Sequence, residues 1–300
     1  MKKFFAAILL FFAVAIAQCA EPNEQWFCKI LAIADIQYAD IPQSIGRDYR
    51  GSLKKLDEVR KNENGRKYDF MLCLGDFIDR EFKSFAPVIG SLNEFRLPLK
   101  NVLGNHDLNC NKEEQNKVLK LLFEDGKSAY HFDVGKWRFV ALDPMRLSAV
   151  SKLKTPEQET EFSEMYSALL KEKASNAKPW NGGIDAAQIE WLKKILNDAD
   201  SKGLNVAILC HMQIWPVSGE SLYNAKEIAD IFSAHKCVKI CISGHKHSGD
   251  YASKDGIHYF TLAGMVEGDS ISYARISLSK DSAAIEGFGK AISMEMKLRD

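Results

Sequence analysis

The chain has 300 residues, 46% of them hydrophobic, and 40 Lys and Arg balance 40 Asp and Glu. That length and composition suit one large core, and the neutral balance excludes a broad electrostatic surface for nucleic acid or anionic lipid, so any phosphate chemistry is local to a site. Seven cysteines without a CxxC spacing exclude a zinc ribbon and a dense disulfide framework.

Residues 1–20 read as a secretory signal: a basic "MKK", an apolar stretch from Phe4 to Ala17, and an A-x-A pattern at Ala15-Ile16-Ala17. The stretch is shorter than the roughly 20 residues that cross a bilayer, so residues 21–300 are expected as one exported domain, periplasmic or secreted, without an integral membrane span. A second reading anchors the chain by lipidation of Cys19, although Gln18 fits poorly before a lipidated cysteine. Cys73, Cys210 and Cys241 fall in apolar runs and pack as small hydrophobes, whereas Cys28, Cys110 and Cys237 are open to disulfide pairing.

Beyond the signal, short apolar runs alternate with segments of helical period, the pattern of a layered α/β architecture. "CKILAIAD" reads as a strand and "YRGSLKKLDEVRKNEN" as a helix with Leu53, Leu56 and Val59 on one face. "YDFMLCLGD" is the next strand, "FKSFAPVIGSLNEF" a helix containing Pro87 and Gly90, and "LPLKNVLGNHD" a further strand. "AYHFDVGKWRFVALD" alternates on both sides of Gly135-Lys136, the pattern of a hairpin. A polar helix over 156–173 precedes a clearer one in "IDAAQIEWLKKILNDAD", where Asp185 and Gln188 have capping-box spacing. "LNVAILCH" and "VKICISGHKH" are strands around the helix "NAKEIADIFSAH"; "GIHYFTLAG" and "SISYARISLS" read as edge or second-sheet strands.

Five of these strands end in side chains suited to a metal: Asp35 with Gln37, Asp76 with Asp79, Asn105-His106-Asp107, His211, and His245 with His247. Each ending alone is ordinary turn chemistry. Together they predict a dinuclear metal site, because ligand sites of open α/β sheets gather beyond the carboxyl ends of strands. Gly75, Gly104 and Gly244 are expected to let the backbone turn sharply there.

In that order D-x-[HQ], GDxxD, GNH[DE], a lone histidine and GHxH resemble the signature of the calcineurin-like metallophosphoesterases, over about residues 28 to 265. The resemblance implies a two-layer β-sandwich flanked by helices, with two divalent ions at the strand ends. Carried over, one ion is held by Asp35, Gln37, Asp76 and His247, and the other by Asp76, Asn105, His211 and His245. Asp76 then bridges, since two cations about 3.5–4 Å apart need an anion between them. A hydroxide between the ions attacks phosphorus in line, and His106 assists the leaving oxygen, with Asp107 beside it to orient the ring and Asp79 orienting neighbouring groups rather than ligating.

Most members have histidine where Gln37 stands. An amide oxygen is a harder donor, which moves preference from Zn²⁺ or Fe toward Mn²⁺ or Mg²⁺; in the alternative, Gln37 holds a ligating water. "IADIQYAD", "WNGGIDAAQIEWL" and "SGHKHSGDY" are most similar to the manganese-dependent ADP-ribose/CDP-alcohol diphosphatase subfamily. That similarity implies a small-molecule substrate, a nucleoside-diphosphate compound cut at its pyrophosphate bond. Tyr38 is placed to stack on a base or ribose, or else packs on a loop. Trp180, Asn181 and Gly182 are expected at the substrate, the Gly182-Gly183 amides serving a phosphate at a helix start, or else forming a plain turn under a tryptophan. Two other functions share the pattern: a broader phosphodiesterase or phosphomonoesterase on cyclic nucleotides or simple esters, and a non-catalytic binding protein on the same scaffold.

Overall fold

The computed structural model describes residues 27–300, so the signal reading and Cys19 lie outside the described residues. In chain order the strands are β1 (Cys28–Ile33), β2 (Phe70–Cys73), β3 (Leu99–Asn101), β4 (Tyr130–Val134), β5 (Trp137–Ala141), β6 (Asn205–Cys210), β7 (Val238–Ser243), β8 (Asp250–Lys254), β9 (Ile257–Thr261), β10 (Tyr273–Leu278), β11 (Ser282–Phe288) and β12 (Met294–Lys297). The helices are α1 (Ser52–Asn62), α2 (Phe85–Asn93), α3 (Lys112–Leu122), α4 (Pro156–Lys171), α5 (Ala186–Lys202) and α6 (Ala225–Ala234). Two six-stranded sheets form, one ordered β12-β11-β10-β1-β2-β3 and the other β4-β5-β6-β7-β9-β8.

The strand sequences explain the layering. Successive side chains on a strand face opposite ways, and in β1 and β2 both faces are apolar. Ile30, Ala32, Phe70 and Leu72 meet Phe139, Ala141, Leu209 and Ile242 of the second sheet in a core that contains no helix residue. Their neighbours Leu31, Ile33, Met71 and Cys73 join Leu56 and Val59 of α1 and Phe85 and Val88 of α2 in another. Strands covered on both faces read as unbroken apolar runs, which is why β1, β2, β6 and β7 were legible. The Phe70 and Phe139 rings meet edge to face at 5.1 Å between the sheets. This is the expected two-layer β-sandwich flanked by helices.

Several local expectations are corrected. The helix expected from residue 82 is a short 3₁₀ turn, Phe82–Ser84, followed by α2, where Pro87 is the third residue and its missing N–H costs no helical bond. Asp185 caps α5 by accepting from Gln188 N at 2.7 Å, but the Gln188 side chain does not return to the cap; it bonds the backbone N and O of Asp143 at 2.8 and 2.9 Å. A full capping box occurs instead at Asn111–Glu114 ahead of α3, a helix with no counterpart among the expected elements. Strands β9 and β10 are not edge strands: β9 lies in the second sheet, as one reading had it, between β7 and β8, and β10 in the first between β1 and β11. Cys28, Cys110 and Cys237 are free thiols, as are the other cysteines among the described residues. No helix among the described residues is long and apolar enough to cross a membrane.

Candidate metal centre

Strands β1, β2 and β3 run parallel, as do β5, β6, β7 and β9. Their carboxyl ends deliver Asp35 and Gln37 after β1, Asp76 after β2, Asn105 after β3, His211 after β6, and His245 and His247 after β7. The segments leaving β1 and β2 are hydrogen-bonded to each other, with Asp35 N on Gly75 O at 3.2 Å, Gln37 N on Asp76 O at 2.8 Å and Tyr38 N on Phe77 O at 3.1 Å. This pairing holds strained backbone: Asp35, Gln37, Asp76 and His245 adopt left-handed φ of +52°, +43°, +56° and +65°. Such conformations cost L-residues roughly 1–2 kcal/mol each and persist where the surroundings enforce them.

Two glycines serve different ends here. Gly75 turns the chain at φ +89°, as expected, but Gly104 is needed for closeness: a Cβ there would lie 2.1 Å from Asp76 Oδ1 and 2.4 Å from Asp76 N.

The candidate ligands converge in two overlapping groups. In the first, the Gln37 amide nitrogen lies 3.1 Å from Asp76 Oδ2 and 3.0 Å from His247 Nε2, and His247 Nε2 lies 3.4 Å from Asp35 Oδ1. In the second, His211 Nε2 is 3.2 Å from both Asp76 Oδ2 and Asn105 Oδ1. Asp76, His211 and His245 offer ligand atoms that all lie within 4.8 Å of one another. For bonds of about 2.1 Å, adjacent ligands of an octahedral ion stand about 3.0 Å apart, so the spacing fits divalent cations. Asp76 belongs to both groups.

Burial tests the fit independently. Asp35 and Asp76 have no solvent exposure, and among the described residues neither forms an ion pair with a lysine or arginine. The Gln37 Oε1 atom is buried without a hydrogen-bond partner. Buried carboxylates and an orphaned carbonyl are costly unless compensated; cations serve the two carboxylates, and turning the Gln37 amide over brings Oε1 to the position of its nitrogen, facing Asp76 and His247, where a cation serves it too.

Each imidazole ligand has one nitrogen committed elsewhere. His211 Nδ1 donates to Leu74 O at 2.6 Å, and His247 Nδ1 pairs with Glu267 Oε1 at 2.6 Å. Such partners set which nitrogen remains for a metal. Burial favours neutral rings, but Asp76 outweighs it at His211 and Asp35 outweighs it at His247, pushing each up to about 9. His245 goes the other way, held down mainly by burial. In the ion-free protein at pH 7, His211 and His247 are therefore protonated, and an entering cation displaces those protons. Apparent Mn²⁺ affinity is expected to rise as pH increases from about 6 to 9, by up to about tenfold per unit for each proton released. Titration calorimetry in buffers of different ionisation enthalpy reads this directly; an affinity that does not change across the range would exclude these rings as ligands.

His106 stands apart from the ligands. Its backbone N–H donates to Asp76 Oδ1 at 2.8 Å, while its ring Nδ1 lies 3.0 Å from Asp79 Oδ1. Burial lowers its pKa, but the charges of Asp76 and Asp79 together raise it above the ordinary histidine value. The orienting carboxylate is thus Asp79, not Asp107. Asp107 is fully buried and accepts backbone N–H groups from Phe77 at 2.7 Å, Gly104 at 2.9 Å and Asp76 at 3.1 Å, stapling the β2 and β3 loops together.

Gln37, Asp76, Asn105, His106, His245 and His247 floor a cavity of about 700 Å³ lined also by Arg47, Asn109, Trp180, Glu220, Lys246 and Glu267, a size that takes a nucleotide. Trp180 is there as expected, its Nε1 donating to Glu220 at 2.9 Å. Three expected substrate contacts are corrected. Tyr38 is not among the cavity-lining residues; it packs against the core and pairs with Ile78. Gly182 is buried with its N–H directed to Met212 Sδ, and the Gly183 N–H is spent on Pro144 O and Leu147 O, so neither amide serves a phosphate. The Asn181 side chain faces His245 rather than the cavity. Glu220 and Glu267 escape sequence reasoning because no local pattern marks them.

Residues 28–249 match the model of the family described as calcineurin-like phosphoesterase. The chain belongs to that family. Among calcineurin-like phosphoesterases it is 29% identical over 265 residues to the Arabidopsis thaliana protein named manganese-dependent ADP-ribose/CDP-alcohol diphosphatase, covering 78% of this chain and 85% of that one. The Homo sapiens protein of the same name is 25% identical, covering 86% of this chain and 89% of its own. A dimetal phosphatase from Danio rerio shares the fold, with a TM-score of 0.80 at 23% identity over 91% of this chain and 99% of that one.

Proposed function

We propose that this phosphoesterase cleaves the pyrophosphate bond of nucleoside-diphosphate compounds, ADP-ribose and CDP-alcohols among them, with two divalent cations and a preference for Mn²⁺. The burial of Asp35 and Asp76, with no lysine or arginine partner among the described residues, carries the reading of a metal hydrolase. Its substrate class is supported by the names of the relatives and by a cavity with room beyond one phosphate.

Asp35, Gln37, Asp76 and His247 would hold one ion, and Asp76, Asn105, His211 and His245 the other. When bound, the cations activate water and withdraw charge from the phosphoryl oxygens. His106, whose pKa Asp76 and Asp79 raise against the effect of burial, would donate its proton to the departing oxygen. Trp180 offers an exposed ring at the cavity for the organic part of the substrate.

A substrate panel tests this. With Mn²⁺, kcat/KM is expected to be highest for ADP-ribose and CDP-choline, lower for a cyclic nucleotide and lowest for p-nitrophenyl phosphate, with AMP and ribose phosphate as products of the first. Fastest turnover of the monoester would replace the diphosphatase by a broad phosphomonoesterase and leave the metal centre standing.

A further inference from the structure

Asn181 has no solvent exposure and points at a histidine instead of the cavity. His245 Nε2 lies 2.8 Å from Asn181 Oδ1 and 3.3 Å from Glu220 Oε2. The orientation of the Asn181 amide is settled at its other end, where Nδ2 donates to Asn176 O at 3.0 Å and Gly219 O at 2.8 Å. Carbonyl oxygens only accept, so Oδ1 is the atom turned to the ring, and the Glu220 carboxylate is likewise an acceptor. The ring nitrogen facing two acceptors must be the one that carries hydrogen. His245 is thereby the Nε2–H tautomer, and the lone pair sits on Nδ1.

We propose that Asn181 is a positioning residue for the second cation, fixing the tautomer and tilt of His245 so that the ring ligates through Nδ1. The inference rests on the reading of His245 as a ligand of that ion. The support for Asn181 is extensive: its backbone O accepts from Ser148 Oγ at 2.8 Å, and Asn176 Nδ2 donates to Leu222 O at 2.6 Å and Tyr223 O at 3.2 Å. The Asn176 bonds join the segment ahead of α5 to the one ahead of α6, and the Ser148 bond ties it to the loop after β5. Backbone Leu74 O does the same service for His211, and Glu267 for His247. His245 differs in facing two acceptors at once, the neutral Asn181 amide at 2.8 Å and the Glu220 carboxylate at 3.3 Å.

Two measurements on the full chain test this. In chelator-treated, ¹⁵N-labelled protein, long-range histidine NMR is expected to show His245 protonated at Nε2, and Asn181→Ala is expected to give a mixture of tautomers. In Mn²⁺ titrations, Asn181→Ala should weaken the second ion by about 10–100-fold and leave the first within about twofold, since Asp35, Gln37 and His247 are untouched. Asn181→Asp keeps an oxygen acceptor for His245 Nε2 but turns its other oxygen on Asn176 O and Gly219 O, so it should restore the Nε2–H tautomer and only part of the affinity.

A wild-type His245 protonated at Nδ1 would overturn the proposal, as would unchanged second-ion affinity in Asn181→Ala. Equal weakening of both ions would also overturn it, marking a loop that is merely structural. If Asn181→Ala does not fold, the wild-type tautomer and Asn181→Asp decide. Uptake of fewer than two ions by the wild type would instead defeat the dinuclear reading, while the tautomer is still read in the ion-free protein.

Discussion

Asp76→Ala is expected to abolish hydrolysis and to remove both ions together. Asp76 is the one side chain common to the two ligand groups, 3.1 Å from the Gln37 amide nitrogen and 3.2 Å from His211 Nε2, and it is fully buried. Loss of a single electrostatic contact in an active site typically costs roughly 10²–10³ in rate; here the centre that supplies the chemistry is dismantled, and the loss should exceed that range. Metal analysis and kcat/KM are the paired measurements. A variant that retained two ions per chain and substantial activity would end the model of a shared bridging carboxylate.

His106→Asn is expected to divide the two properties that Asp76→Ala destroys together. The imidazole pairs with Asp79, which is not among the candidate ligands, and the backbone N–H that bonds Asp76 survives the substitution. Metal content should therefore stay at the wild-type level while kcat falls by about 10²–10⁴, the usual contribution of a proton donor. A phosphate-ester leaving group departs more readily than an alkoxide, so the fall should be smaller for ADP-ribose than for an alkyl monoester. The pH profile carries the sign: an acid works while protonated, and with its pKa raised above the ordinary value the wild-type advantage should fade as pH climbs through it. Loss of an ion in His106→Asn would recast the residue as a ligand.

The candidate metal residues after β1, β2, β6 and β7 were legible because each of those strands is an apolar run recognisable as buried, whereas Asn105, after the short β3, was marked by its G-N-H-D motif. Parallel strands packed on both faces leave little room for polar side chains, so Asp35, Asp76, His211 and His245, themselves buried, mark where the strands end. The C-terminal strands were harder. In β11, "SAAIEGF", small residues and a glycine blunt the alternation, and β8 is mostly half-buried, so neither carries the pattern of a covered strand. Helix α3 is polar over most of its length and buries only Gln115 and Val118.

Roles that depend on direction were not legible. Asp107 adjoins His106 in sequence, yet its carboxylate turns back onto three backbone N–H groups, and the ring is held by Asp79 from another loop. Tyr38 adjoins Gln37, but pairing of its segment with Ile78 leaves it outside the cavity lining. The W-N-G-G segment looked like a phosphate cradle until its amides were found bonded within the protein.

By itself, then, the sequence determined the layered α/β class, the strand ends that carry Asp35, Gln37, Asp76, Asn105, His211, His245 and His247, and the family resemblance that ordered them. Hydrophobic periodicity and glycine spacing are local, and they survive in a one-dimensional record. The tertiary structure alone decided which carboxylate orients His106, which nitrogen of each histidine is left for a metal, and that Glu220, Glu267 and Asn181 stand behind the ligands. Those assignments depend on distances of about 3 Å between residues up to 210 positions apart, and hydrogen-bond direction at that range is set by how the two sheets meet.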